Sequence, residues 1–139
     1  MKGLLVDTAG WMACADAADP AHELASVARD RWLEQGGWLV TTDYIADETL
    51  TLVRMRLGLV AAESWWGQVS ESSHLRWEAI SPPRADKARA LFFRCRDKDF
   101  SFTDCTSFVV MRELRLRDAL TTDHHFTQMG FAVQPAAKS

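Results

Sequence analysis

Continuous apolar runs alternate with helix-period segments along the chain, and that alternation predicts its architecture. Lys2–Asp7 carries Leu4-Leu5-Val6 without interruption, the pattern of a strand buried on both faces. Trp38–Thr42, His74–Ile80, Asp118–Thr122 and Phe131–Val133 read as four further strands. A short helix is expected at Gly10–Ala17. A longer one opens after Asp19-Pro20, with Asp19 placed to cap and Pro20 at the first helical position, and stops at Gly36-Gly37. Asp43 is placed to cap a helix running to Gly58, and Leu59–Ser70 continues as another. Pro82-Pro83 breaks the chain before a helix over Arg84–Cys95. Arg96–Phe102 reads as a charged loop, Thr103–Leu116 as a helix and His124–Met129 as a short one. Strands separated by helices imply an α/β fold, a three-layer α/β/α sandwich around a central, mostly parallel sheet. In such sheets ligands bind beyond the C-terminal ends of the strands.

Four carboxylates fall where that rule is informative. Asp7 and Asp123 each end an apolar strand, Asp104 lies where a helix begins, and Glu48 lies inside another helix. Like charges gathered at one point repel, so such a cluster makes sense mainly around a cation. Helical spacing separates Glu48 from its neighbour Asp47. Ala46, Leu50, Val53 and Leu57 form the expected core stripe. Asp47 stacks with Asp43, Thr51 and Arg54 and reads as solvated. Glu48 stacks with Tyr44, Ile45, Leu52 and Met55 and reads as directed inward, against the alternative of snorkelling at the helix edge. Asp104 competes with a plain capping role, although Ser101 or Thr103 could cap instead and free it. Asp97 and Asp99 read by default as a solvated turn, with an outer-ligand role as the alternative.

Composition narrows the field. A chain of 139 residues, 47% hydrophobic and 25% charged, is the size and make-up of a single globular domain, here residues 1–139. No apolar run approaches the roughly 20 residues of a membrane span, and the N-terminus lacks a signal-peptide pattern, so a cytoplasmic protein is expected. Cys14, Cys95 and Cys105 lack metal-site spacing and read as reduced thiols. The net charge is −3, and with the four acids set apart the remainder is close to neutral. Nucleic-acid contact would then fall to local clusters: Arg54 and Arg56; Arg94, Arg96 and Lys98; or Arg112, Arg115 and Arg117, each by default a solvated face.

Other chemistries fit less well. His124-His125 has no second His or Cys pair to complete a tetrahedral set, and exposed or packing histidines are the simpler reading. Asp7-Thr8-Ala9 lacks the second aspartate of a haloacid-dehalogenase-like phosphatase. The acidic pair of a receiver domain is absent, as are a glycine-rich phosphate loop and a nucleophile elbow. Among six tryptophans, Trp65-Trp66 with nearby Val60 offers apolar surface for a homodimer.

Four segments resemble the signatures of the PIN domain, in that family's order: Leu4-Leu5-Val6-Asp7-Thr8, Asp47-Glu48-Thr49-Leu50, Ser101-Phe102-Thr103-Asp104-Cys105 and Leu120-Thr121-Thr122-Asp123-His124-His125-Phe126. The resemblance covers nearly the whole chain. It is strongest to the free-standing VapC-type ribonuclease toxins of type II toxin–antitoxin pairs. It implies Mg²⁺- or Mn²⁺-dependent cleavage of RNA, with Asp7, Glu48, Asp104 and Asp123 as the metal-binding and catalytic acids, and an antitoxin as partner. Ala9 and Cys105 depart from the family's usual small polar residue and alanine. The competing readings are a catalytically inactive binding module on the same fold and a housekeeping RNA-processing nuclease.

Overall fold

The protein, described over residues 2–135 by a computed structural model, folds around one five-stranded sheet in the order β3-β2-β1-β4-β5. The strands are β1 (Gly3–Val6), β2 (Trp38–Thr42), β3 (Leu75–Glu78), β4 (Asp118–Leu120) and β5 (Ala132–Gln134). Every pairing is parallel, so the expected mostly parallel sheet is wholly so. The flanking helices are α1 (Thr8–Ala15), α2 (His22–Glu34), α3 (Asp43–Leu57), α4 (Leu59–Glu71), α5 (Pro82–Arg94), α6 (Phe102–Glu113) and α7 (His125–Gln128).

The apolar run of β1 is fully buried, as its unbroken pattern requires. It shares one core cluster with α6, whose residues from Cys105 to Met111 are all buried. Phe108 sits at the centre of an aromatic chain, edge-on to Phe100 and to Phe126 at 5.0 Å each. The chain builds β1, β2 and β3 outward on one side, then returns to place β4 and β5 on the other. That reversal sets the topological switch point between β1 and β4, where register pairs Val6 with Leu120. Asp7 and Thr121 therefore leave the sheet side by side.

Gly10 fixes how closely α1 approaches this point. A Cβ there would lie 2.1 Å from the Leu120 carbonyl oxygen, so only glycine lets the first turn of α1 rest on the end of β4.

Helix starts differ from expectation in instructive ways. Thr42, not Asp43, caps α3, its hydroxyl accepting from Ile45 N at 3.0 Å. Asp43 instead accepts from Ile80 N at 2.8 Å and ties α3 to the segment after β3. Asp19 accepts from Ala21 N in a turn before α2, which starts at His22 without a side-chain cap. Ser81 caps α5, so the two prolines form its first turn rather than a break before it. Trp65 is a core residue, 5.6 Å from Trp11 in an edge contact, whereas Trp66 and Val60 are exposed. The three cysteines are free thiols. No helix among the described residues is long and apolar enough to cross a membrane.

Candidate active site

Beyond the C-terminal ends of β1 and β4 lies a cleft of about 370 Å³ whose walls include Asp7, Glu48, Asp104 and Asp123. All four acids singled out from the sequence reach it, though on different terms.

Asp7 is the most constrained. It is the N-cap of α1, which starts two residues earlier than its apolar pattern suggests. One carboxylate oxygen accepts from Gly10 N at 2.7 Å, and the other accepts from the Thr121 hydroxyl at 2.7 Å. The side chain is nonetheless only 6% exposed. Burial pushes its pKa from the ordinary 3.8 up to about 7, against the two hydrogen bonds and with help from the charges of Asp104 and Asp123.

Asp104 both caps and faces the cleft. Ser101 is the N-cap of α6, accepting from Asp104 N at 3.0 Å, while Asp104 accepts from Ser101 N at 3.0 Å in a reciprocal capping box. Ser101 therefore does not free the aspartate. The same carboxylate oxygen also meets His125 Nδ1 at 2.8 Å. Partial burial raises the pKa of Asp104 as well, with Asp123 adding to it.

Asp123 folds back over the tip of β4. Its N–H donates to Thr121 Oγ1 at 3.0 Å, and its carboxylate accepts from His125 N at 2.9 Å. The tight turn this closes swings the His125 ring inward, with Nδ1 3.0 Å from the second Asp123 oxygen. His125 thus spans Asp104 and Asp123, braced edge-on against Phe100 at 5.5 Å. Ligand atoms of these three residues lie within 4.8 Å of one another, a group able to hold a metal ion.

Glu48 faces the cleft from α3, together with Leu52 and Arg56. Asp47 lies outside it, so the helical phase that separates the two acids is right. The expected apolar surroundings are not: Glu48 is exposed, and Met55 below it is 78% exposed. Asp97 and Asp99 stand exposed in the loop before α6, away from the cleft, with Lys98 3.4 Å from Asp97. Of the basic clusters only Arg56 lines the cleft; Arg115 and Arg117 lie at the opposite end of the sheet, beside the start of β4.

Two contributors escaped the sequence reading. His125 reads from the sequence as an exposed or packing residue, although its place two residues after Asp123 is the spacing of an Asx turn. Ser107, one turn after Asp104 on α6, also lines the cleft, fully buried.

Asp7 and Asp104 sit at the N-termini of α1 and α6, whose dipoles favour negative charge. Their donor set is almost all hard oxygen, which suits Mg²⁺ or Mn²⁺ better than a soft-ligand metal.

No protein-family model matches the chain. It is 30% identical over 128 residues to the 23S rRNA-specific endonuclease VapC20 of Mycobacterium tuberculosis, covering 92% of this chain and 95% of the relative. The crystal structure of VapC20, described as a sarcin–ricin loop cleaving toxin, superposes with a TM-score of 0.83 at 29% identity, covering 93% of this chain and 96% of that one. FitAcB from Neisseria gonorrhoeae, at 14% identity and a TM-score of 0.69 over 94% of this chain and 95% of that one, shares the fold. With the acids in order along the chain and this likeness over nearly its full length, the protein belongs to the VapC family of PIN-domain ribonuclease toxins.

Proposed function

We propose that this toxin is a Mg²⁺- or Mn²⁺-dependent endoribonuclease whose cation is held by Asp7, Asp104 and Asp123, with Glu48 facing it across the cleft. The observation that carries this reading is the convergence of these acids from four separate elements onto one cleft, with Asp7 buried at a cost that only a cation or a proton relieves. When bound, the ion supplies a counter-charge for the scissile phosphate and a water of lowered pKa. The protein's own groups do the rest. Thr121 and the start of α1 hold Asp7, and His125 and Ser101 hold Asp104 and Asp123 in one geometry. Glu48, exposed on the rim, accepts the proton of the attacking water. Arg56 is placed to bind a phosphate oxygen of the RNA entering from α3. Water attacks phosphorus in line, the bond to the leaving ribose oxygen breaks, and that oxygen takes up a proton from solvent water.

The substrate we propose is the RNA cut by the relatives, 23S rRNA at its sarcin–ricin loop, met in the cytoplasm by a single domain spanning residues 1–139. Two protein partners complete the proposal. One is an antitoxin that blocks the acidic cleft. The other is a second copy, docked through the exposed apolar residues Val60, Leu59 and Trp66 around α4. Light scattering at micromolar concentration should report the dimer mass; a strict monomer would remove that partner.

The enzymatic proposal is tested by incubating purified ribosomes with the protein in Mg²⁺ or in EDTA and mapping the cut by primer extension. A single Mg²⁺-dependent cut in 23S rRNA is expected. Cleavage that persists in EDTA would refute the metal requirement, and cuts elsewhere would refute the target.

A further inference from the structure

Three buried side-chain polar atoms among the described residues have no hydrogen-bond partner: the indole nitrogens of Trp38 and Trp65, and the hydroxyl of Ser107. Only Ser107 lies in the acidic cleft, and it is fully buried. A helical serine or threonine has an easy way to satisfy itself, by donating to a carbonyl three or four residues back. Thr106, its neighbour, does so to Thr103 O at 2.6 Å, and Thr49 does so to Ile45 O at 2.7 Å. Ser107 does not. Its position one turn beyond Asp104 turns it to the face of α6 that carries that carboxylate. The residue thus leaves an unpaired buried hydroxyl in the cleft that Asp7, Glu48, Asp104 and Asp123 line.

We infer that Ser107 is a cation-site residue, its hydroxyl forming a hydrogen bond to the hydration shell of the divalent ion. This rests on the cation reading above and adds a residue to it. A hard cation such as Mg²⁺ keeps several of its waters, and those waters are strong donors that need acceptors in a narrow cleft. A hydroxyl suits this task, since it accepts from a water and can donate onward to a carboxylate. Groups of this outer kind orient the ligands and contribute to affinity without touching the ion.

The test uses the full chain, stripped of metal, as native protein, Ser107→Ala and Ser107→Cys. Mn²⁺ binding is read from loss of the free-ion electron paramagnetic resonance signal, and thermal unfolding is followed in EDTA. Both variants should bind Mn²⁺ about two- to tenfold more weakly, the worth of one hydrogen bond. Cysteine keeps the volume but is a weak hydrogen bonder, so its loss of affinity would separate the hydroxyl from packing. In EDTA, Ser107→Ala should melt at the native temperature or above it, because no internal partner is lost. Native Mn²⁺ affinity in both variants, or a clear fall in the melting temperature of Ser107→Ala in EDTA, would overturn the inference and leave the cation reading standing. Absence of Mn²⁺ binding by the native protein would overturn both.

Discussion

Replacing Asp7 by asparagine should stabilise the metal-free protein at neutral pH while removing its activity. The carboxyl is 6% exposed and titrates near 7 in the folded chain instead of at its ordinary 3.8. At about 1.4 kcal/mol per tenfold change in proton affinity, holding it ionised costs the fold about 4 kcal/mol above pH 7. Asparagine removes that cost but keeps a carbonyl oxygen for Gly10 N. Its amide meets Thr121 Oγ1, which now donates to the carboxylate, and the mismatch costs about 1–2 kcal/mol. A net gain of about 2–3 kcal/mol at pH 8 follows. The pH dependence carries the sharper test. Because burial raises this pKa, the folded state keeps a proton that the unfolded chain releases between about pH 4 and pH 7. Native stability should therefore fall as pH rises through that window and level off above it, while Asp7→Asn lacks this contribution. Urea unfolding of both proteins in EDTA at pH 5 and pH 8 measures it. A mutant advantage that is absent at pH 8, or larger at pH 5, would refute the reasoning.

Other consequences follow from the same geometry. Glu48→Gln should lower the cleavage rate by about 10²- to 10⁴-fold, as expected for loss of a general base. Asp47→Asn, outside the cleft, should leave the rate unchanged and move stability by no more than about 0.5 kcal/mol; the reverse pattern would mean the phase of α3 is misread. Gly10→Ala should destabilise the fold by about 2–3 kcal/mol in chemical denaturation, because its Cβ would drive α1 off the Leu120 carbonyl. It should also lower activity by shifting the N–H that holds Asp7.

The central strands β1, β2 and β4 were legible because burial on both faces writes itself as apolar runs, and the strand tips at Asp7 and Asp123 followed from where those runs stop. Helical period separated Glu48 from Asp47, since angular position on a helix depends only on spacing. What stayed hidden depended on partners distant in sequence. Asp43 looks like a cap until Ile80 N claims it, and Thr42 then does the capping. Leu57 completes the core stripe of α3 by its spacing, yet it ends the helix 37% exposed. His125 joins the site through a turn closed by Asp123 and through Asp104 on another helix, 21 residues away. Its partners could not be read from the His124-His125 pair itself. Ser107 carries no local mark at all, because its significance is a missing bond.

The central claim, that clustered carboxylates hold a cation which RNA cleavage requires, is tested most directly by one comparison. Native protein and Asp104→Asn are incubated with total RNA in Mg²⁺ and in EDTA, with circular dichroism to verify that both are folded. Cleavage by the native protein in Mg²⁺ alone, and none by folded Asp104→Asn, is the predicted result. Undiminished cleavage by Asp104→Asn, or by the native protein in EDTA, would contradict it.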